Sequence, residues 1–355
     1  MSATLPTNSK ENTECQSVFH FSKYRFIVLN PMQHISRWFH NSPVYHYQTI
    51  DVSGGHQLYV EQSGNPQGIP VIYMHGGPGA GLCKSYQWPF NPLKYRVIGV
   101  DQRGCGRSTP FGDTNNNTTQ LLVEDFETIR QHLGIVQWVV FAGSWGSALA
   151  LIYAIQYPKF VISMVLRGVF LARKADADWF LADSGGAAQV YPDAYEAFSR
   201  HINDTSSSDA VCKQFVSLFR SNDHNIRATA LTSWFDWEGC ISQFIAQNVM
   251  MSDSSPDKKI RSLALLECHY LLNKCFIEEN YIMDNIANIK DIPCHIVHGR
   301  YDMVCKLEGA YSLHKSLPQS TLKIIDNAGH SMSELGIGTA LTNIMDGMFE
   351  TGCRF

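Results

Sequence analysis

No apolar run in this 355-residue chain approaches the roughly 20 residues that a membrane-spanning helix needs, and Phe26 to Leu29 is too short for the apolar region of a signal peptide. Long runs of one charge are missing too. The formal charge of -4 arises from 28 basic and 32 acidic residues in mixed order, which argues against nucleic acid and anionic membranes as partners. Small molecules or peptides remain. Ten cysteines occur without a C-x-x-C pair or a Cys/His ladder. That scatter argues against a zinc site and fits reduced thiols better than a disulfide framework, so the expected compartment is the cytoplasm. The sequons at Asn116, Asn117 and Asn203 are then expected to be unused. There is no internal repeat and no low-complexity tract.

What is present alternates between strand and helix. Tyr45 to Val60 reads as a hairpin turning at Ser53-Gly54-Gly55, followed by short buried strands at Val71 to Met74 and Arg96 to Val100. Leu121 to Leu133 has helical spacing, and Trp138 to Phe141 and Val161 to Leu166 read as strands. This alternation predicts an α/β fold with a mostly parallel, doubly wound sheet. From about residue 174 to 290 the pattern turns helical and aromatic, with Trp179, Tyr195, Phe198, Phe215, Phe219, Trp234, Trp237 and Tyr270. That stretch reads as an inserted helical cap, with residues 44–173 and 291–355 as the core and a last helix near Ala340 to Phe349. Residues 1–43 lack periodicity and read as an N-terminal extension, either disordered or a weak organellar presequence.

The chemistry centres on Ala142-Gly143-Ser144-Trp145-Gly146, entered from an apolar run and left by a helix-like one. A serine on a sharp strand-to-helix turn has its hydroxyl lifted clear of the sheet, which is the nucleophile elbow. Ala142 stands where a glycine is usual, a departure of one methyl group. Asp302, in Gly299-Arg300-Tyr301-Asp302, and His330, in Ala328-Gly329-His330, each follow a late apolar run. The order Ser, Asp, His marks an α/β-hydrolase. Ser144 is therefore the candidate nucleophile, His330 the base and Asp302 its orienting carboxylate, with no cofactor or metal required. Taken singly, Asp302 could equally cap a turn and His330 could be a satisfied loop histidine.

His75-Gly76-Gly77-Pro78-Gly79 follows a predicted strand and reads as an oxyanion loop. The backbone amides of Trp145 and Gly77 are the expected donors, and His75 is expected to hold the loop by hydrogen bonding.

In its motifs and their order the chain resembles the proline iminopeptidase (prolyl aminopeptidase) family of the α/β-hydrolase superfamily. Besides the segments above, the resemblance rests on Asp101 to Ser108, Val165-Leu166-Arg167-Gly168, Trp234 to Glu238 and Glu267-Cys268-His269-Tyr270, and it runs from about Val44 to Ile337. It implies a serine aminopeptidase that releases N-terminal proline from peptides through an acyl-enzyme. It also implies that Glu238 and Glu267 bind the substrate's protonated amino terminus and that Phe170, with Trp179 or Phe180, packs on the pyrrolidine ring. Two carboxylates suit that task, because an ammonium entering an enclosed site must regain its lost hydration through charge-assisted hydrogen bonds. Read without the resemblance, Glu238 is a solvated helix residue and Glu267 an ion-pair partner. Ala182-Asp183-Ser184-Gly185-Gly186 departs from the more aromatic or glutamine-containing segment usual in the family. The competing functions are an esterase or amidase on the same scaffold, and a catalytically silent hydrolase fold used for binding. Oligomeric state is not legible.

Overall fold

The computed structural model describes residue 39 and residues 42–245 and 256–350. Apart from residues 39, 42 and 43, the expected N-terminal extension lies outside the described residues.

Eight strands form one sheet: β1 (Val44–Asp51), β2 (Gln57–Gly64), β3 (Ile69–Met74), β4 (Tyr95–Val100), β5 (Trp138–Ser144), β6 (Val161–Val169), β7 (Cys294–Gly299) and β8 (Ser320–Ile325). Their order across the sheet is β1-β2-β4-β3-β5-β6-β7-β8. β1 and β2 form the predicted hairpin around Ser53–Gly55, and β2 alone runs against the other strands, antiparallel to both β1 and β4, while β4, β3, β5, β6, β7 and β8 pair in parallel. The central strands read as continuous apolar runs because both of their faces are covered. Val140 and Ala142 of β5 enter one core with Ile72, Ile98 and Leu166, whereas Val139 and Phe141 enter another with Val71, Val97 and Val165. The two-residue period of a strand does this sorting.

Helices α1 (Thr119–His132) and α2 (Trp145–Gln156) cover the first face. α2 is apolar on every side, and each of its residues from Trp145 to Ile155 is buried. Between β6 and β7 come α3 (Lys174–Leu181), α4 (Gly186–Val190), α5 (Pro192–Ser199), α6 (Ser208–Phe219), α7 (His224–Ile241), α8 (Pro256–Leu272) and the short α9 (Tyr281–Asp284). α10 (Leu307–Ser316) joins β7 to β8, and α11 (Leu335–Glu350) packs on the second face through Ile337, Ala340, Leu341 and Met345.

The insertion has its own aromatic core. Phe198 stacks on Phe215 at 4.8 Å between ring centres, and Trp234 meets Phe215 edge-on at 5.1 Å. Such pairs add to the burial of the rings. Tyr195 and Trp237, the polar-ended members, donate to the carbonyls of Leu181 and Phe180. Most of the aromatic stripe is therefore packing. Toward residue 290 the chain changes allegiance, since Tyr270, Cys275, Ile282 and Ile289 pack in the core beside α2. At Gly185 and Gly186 the departure from the family pattern makes a tight turn: a Cβ on Gly186 would lie 2.2 Å from the Trp179 ring.

Candidate active site

The parallel register brings the carboxyl ends of β3, β5, β6 and β7 side by side, with Met74 opposite Ala142, Ala142 opposite Leu166 and Arg167 opposite Val297. Ligands in open α/β sheets bind at this end of the strands. Ser144 ends β5 with φ 59° and ψ -133°, a conformation that a non-glycine residue adopts only under strain of roughly 1–3 kcal/mol. The strain turns the side chain out of the strand just as α2 begins. Close packing enforces the turn: a Cβ on Gly146 would stand 2.1 Å from the Met74 carbonyl oxygen. Ala142, fully buried between Met74 and Leu166, accommodates its methyl group in the core. Ser147 Oγ donates to the Ser144 carbonyl at 2.6 Å and accepts from the Phe170 amide at 2.9 Å.

Asp302 and His330 meet as the chain order implies. His330 Nδ1 and Asp302 Oδ2 are 2.7 Å apart, and Asp302 Oδ1 accepts from the amides of Val304 and Cys305 at 3.0 and 2.7 Å. Burial pushes the Asp302 carboxyl up, but His330, His298 and the Cys305 amide together hold it below its ordinary value. Burial lowers His330, Asp302 opposes that shift, and Arg167 adds to it. Gly168, at φ 55°, gives this pair its room, since a Cβ there would lie 2.8 Å from His330 Cε1.

Nε2 of His330 is engaged by Arg167, whose Nη1 lies 2.8 Å away and also donates to the His330 carbonyl at 3.0 Å. A guanidinium only donates, so Nε2 accepts and Nδ1 carries the proton offered to Asp302. That is the tautomer a serine base requires. No hydrogen bond joins Nε2 to Ser144 Oγ among the described residues. The Ser144 hydroxyl faces Cys305, and its hydrogen bond partly offsets the burial that raises that thiol.

Trp145 opens α2, so its amide is among the first-turn donors that a helix leaves without an internal partner. Gly77 has φ 107°, where a Cβ would lie 2.6 Å from the Gly79 nitrogen. His75 anchors this loop: its Nε2 accepts from the Gln102 amide at 3.1 Å, leaving Nδ1 to donate to the Gly76 carbonyl at 2.8 Å. The segment Asp101 to Ser108 is itself tied down, with Asp101 accepting from Leu82 N at 2.7 Å and Arg107 Nε at 2.8 Å. Its role here is to brace the glycine loop.

A narrow pocket lies over Ser144, with about 440 Å³ of space between atoms including the solvent at its mouth. Gly77, Trp145, Phe170, Phe180 and Glu267 line it. Phe180 contributes to the wall and Trp179 does not, because neighbouring helix positions point about 100° apart. Trp179 instead packs against Gly186. Glu267 is buried and accepts from Trp234 Nε1 at 2.6 Å, while Glu238 keeps partial exposure although its Oε2 is buried without a partner. Burial pushes Glu238 up to about 7, against the pull of Lys259. Glu267 is raised well above its ordinary value, by burial and then by the charge of Glu238. A cation entering beside the pair would oppose both shifts.

Arg167, Gly168 and Trp234 stand inside sequence motifs, yet nothing in their residue types announced what they touch. Cys305, Leu271, Cys275 and Val304 also line the pocket, and no local pattern marks them. Among the described residues no group of three or more His, Cys, Asp or Glu side chains is arranged to hold a metal ion.

A family model for the alpha/beta hydrolase fold matches residues 69–336. A protein of Leptolyngbya boryana named "Probable proline iminopeptidase" is 43% identical over 298 residues, covering 84% of this chain and 92% of the relative. The "Proline iminopeptidase" of Arabidopsis thaliana is 42% identical over 294 residues, covering 82% of this chain and 77% of the relative. Among solved structures, an esterase from Exiguobacterium antarcticum superposes with a TM-score of 0.57 at 20% identity, over 86% of this chain and 100% of its own. At that identity the likeness speaks for the fold alone.

Proposed function

The chain belongs to the proline iminopeptidase family of the α/β-hydrolases, and on that premise we propose that it is a serine aminopeptidase releasing N-terminal proline from peptides through an acyl-enzyme. The single observation that carries the reading beyond a generic hydrolase is the burial of Glu267 in the wall of the pocket that contains Ser144, with Glu238 close enough to raise its pKa. A buried carboxylate beside a nucleophile, with a second carboxylate oxygen buried close by, is costly unless a cation completes the pair. A substrate's protonated amino terminus is such a cation.

In this mechanism Glu238 and Glu267 take the ammonium and Phe170 and Phe180 take the ring, so only the first carbonyl comes within reach of Ser144. His330 Nε2 leaves Arg167 and removes the Ser144 proton as Oγ attacks. The amides of Gly77 and Trp145 receive the developing oxyanion. His330 then protonates the departing amine, and a water activated by the same nitrogen hydrolyses the acyl-enzyme. Asp302 stabilises the imidazolium in both halves. We take the helices between residues 174 and 290 as the cap that brings the carboxylates over the core.

The same helices distinguish this reading from an esterase on the shared scaffold, which needs no ammonium site. Comparing free and N-acetylated proline arylamides with a simple ester tests it. Cleavage of the free arylamide but not of its acetylated counterpart is the expected result, whatever the basal rate on the ester, and equal cleavage of the acetylated compound would remove the aminopeptidase reading. The cytoplasm is the proposed compartment, supported by eight free cysteines among the described residues. No helix among them is long and apolar enough to cross a membrane.

A further inference from the structure

A second, larger cavity lies on the flank of the molecule, with about 1830 Å³ of space between atoms including the solvent at its mouth. Only one layer of side chains separates it from the catalytic pocket: Phe170, Ala177, Leu271 and Cys275 line both. Its rim carries charges of both signs, Arg173, Lys174 and Lys274 against Asp209, Glu278 and Glu279. Seven non-glycine residues among those described have positive φ, and four of them, Ala172, Lys274, Cys275 and Phe276, line this cavity. Strained backbone gathers at functional sites and persists where its surroundings hold it. Here α1 does the holding, for Thr119 Oγ1 and Gln120 Nε2 donate to the carbonyls of Cys275 and Phe276.

The mechanism above gives this cavity no task, yet it adjoins the place where a small zwitterion is set free. We propose that the flank cavity is the passage by which the released N-terminal amino acid leaves the catalytic pocket, a reading that rests on the aminopeptidase function proposed above. The partition of Phe170, Ala177, Leu271 and Cys275 opens to let the amino acid through, and the mixed charges at the rim receive its carboxylate and ammonium in place of water. A separate exit matters for an exopeptidase whose pocket is closed at the amino end by Glu238 and Glu267. Product release limits the turnover of many enzymes.

Filling the cavity from residues outside the catalytic machinery tests the proposal. Gln156→Trp on α2 and Ile277→Trp on the opposite wall are on separate elements, so a folding defect in one leaves the other to answer; unchanged thermal unfolding certifies the fold. With a free prolyl arylamide, kcat/KM reports steps up to arylamine release, and exit of the amino acid comes later. The expected result is a fall of at least about 5-fold in kcat with a parallel fall in KM, kcat/KM unchanged, and a stoichiometric burst of arylamine. Unchanged kcat in the folded variants overturns the passage, as does a fall in kcat/KM, which places the damage in the catalytic pocket. Failure of the unmodified enzyme to turn over the arylamide at all removes the aminopeptidase reading itself. Failure of the passage alone leaves that turnover intact.

Discussion

Arg167 Nη1 stands 2.8 Å from His330 Nε2, the nitrogen proposed to receive the Ser144 proton. The contact favours the required tautomer at rest and, added to burial, lowers the affinity of the imidazole for a proton. Arg167→Met removes that repulsion. The expected outcome is an acid limb of the pH–kcat/KM profile for an uncharged ester that moves to higher pH, read directly from the rate profile. A limb that stays where it was would show that Arg167 does not act on the base.

Ser144→Ala should lower turnover by several orders of magnitude while leaving thermal unfolding near that of the unmodified enzyme, because the side chain faces the pocket rather than the core. Steady-state rates and a melting curve on the same preparation suffice. Turnover close to that of the unmodified enzyme would move the nucleophile elsewhere.

Replacing Glu238 or Glu267 by Gln should damage cleavage of free prolyl substrates far more than cleavage of an uncharged ester. Each lost charge-assisted contact is worth about 1.5–3 kcal/mol, or roughly one to two decades in kcat/KM. Equal losses on both substrates would assign these carboxylates to the fold.

The pH dependence has a definite sign. Glu238 is raised to about 7 in the folded, empty enzyme, so binding an ammonium requires it to lose a proton. For free prolyl substrates kcat/KM should therefore rise as pH increases toward 7, whereas for an ester the acid limb should reflect His330 and lie below the ordinary imidazole range. The same shift affects stability. A carboxyl whose pKa is higher folded than unfolded contributes fully below about 4.5 and loses that contribution as pH climbs through about 7. Glu238→Gln should thus unfold at higher temperature than the unmodified enzyme at pH 8, and the difference should shrink at pH 5.

Gly146→Ala isolates the elbow's packing. Its Cβ would stand 2.1 Å from the Met74 carbonyl oxygen, so β3 and α2 must separate. Overpacking of this kind typically costs about 1–3 kcal/mol, a lower melting temperature that calorimetry detects. Unchanged stability would mean that this turn has slack.

Much of this architecture was legible because it is periodic or punctuated. The strand alternation in Val139 to Ala142 and the small residues flanking Ser144 are local signals, and chain order alone linked Ser144 to Asp302 and His330. The resemblance pointed to Glu238 and Glu267, whose residue types in a helical stretch read more simply as solvated. What local sequence cannot express is contact at long range. Arg167 and His330 are separated by 163 positions, and Trp234 and Glu267 by 33, so neither bond leaves a pattern in its neighbourhood. Phe180 rather than Trp179 reaches the pocket because of how α3 is rotated, and that rotation is fixed by Gly186 taking the other ring.

Trp234 is both the hub of the insertion's aromatic cluster and the donor to Glu267, whereas Ser144, His330, Asp302 and the glycine loop all spring from turns of the sheet. On the proposed reading, selectivity and reactivity have separate addresses in one chain. An evolving lineage could exchange the insertion and inherit a new clientele without relearning how to break an acyl bond. It could equally keep its clientele while the bond-breaking turns change.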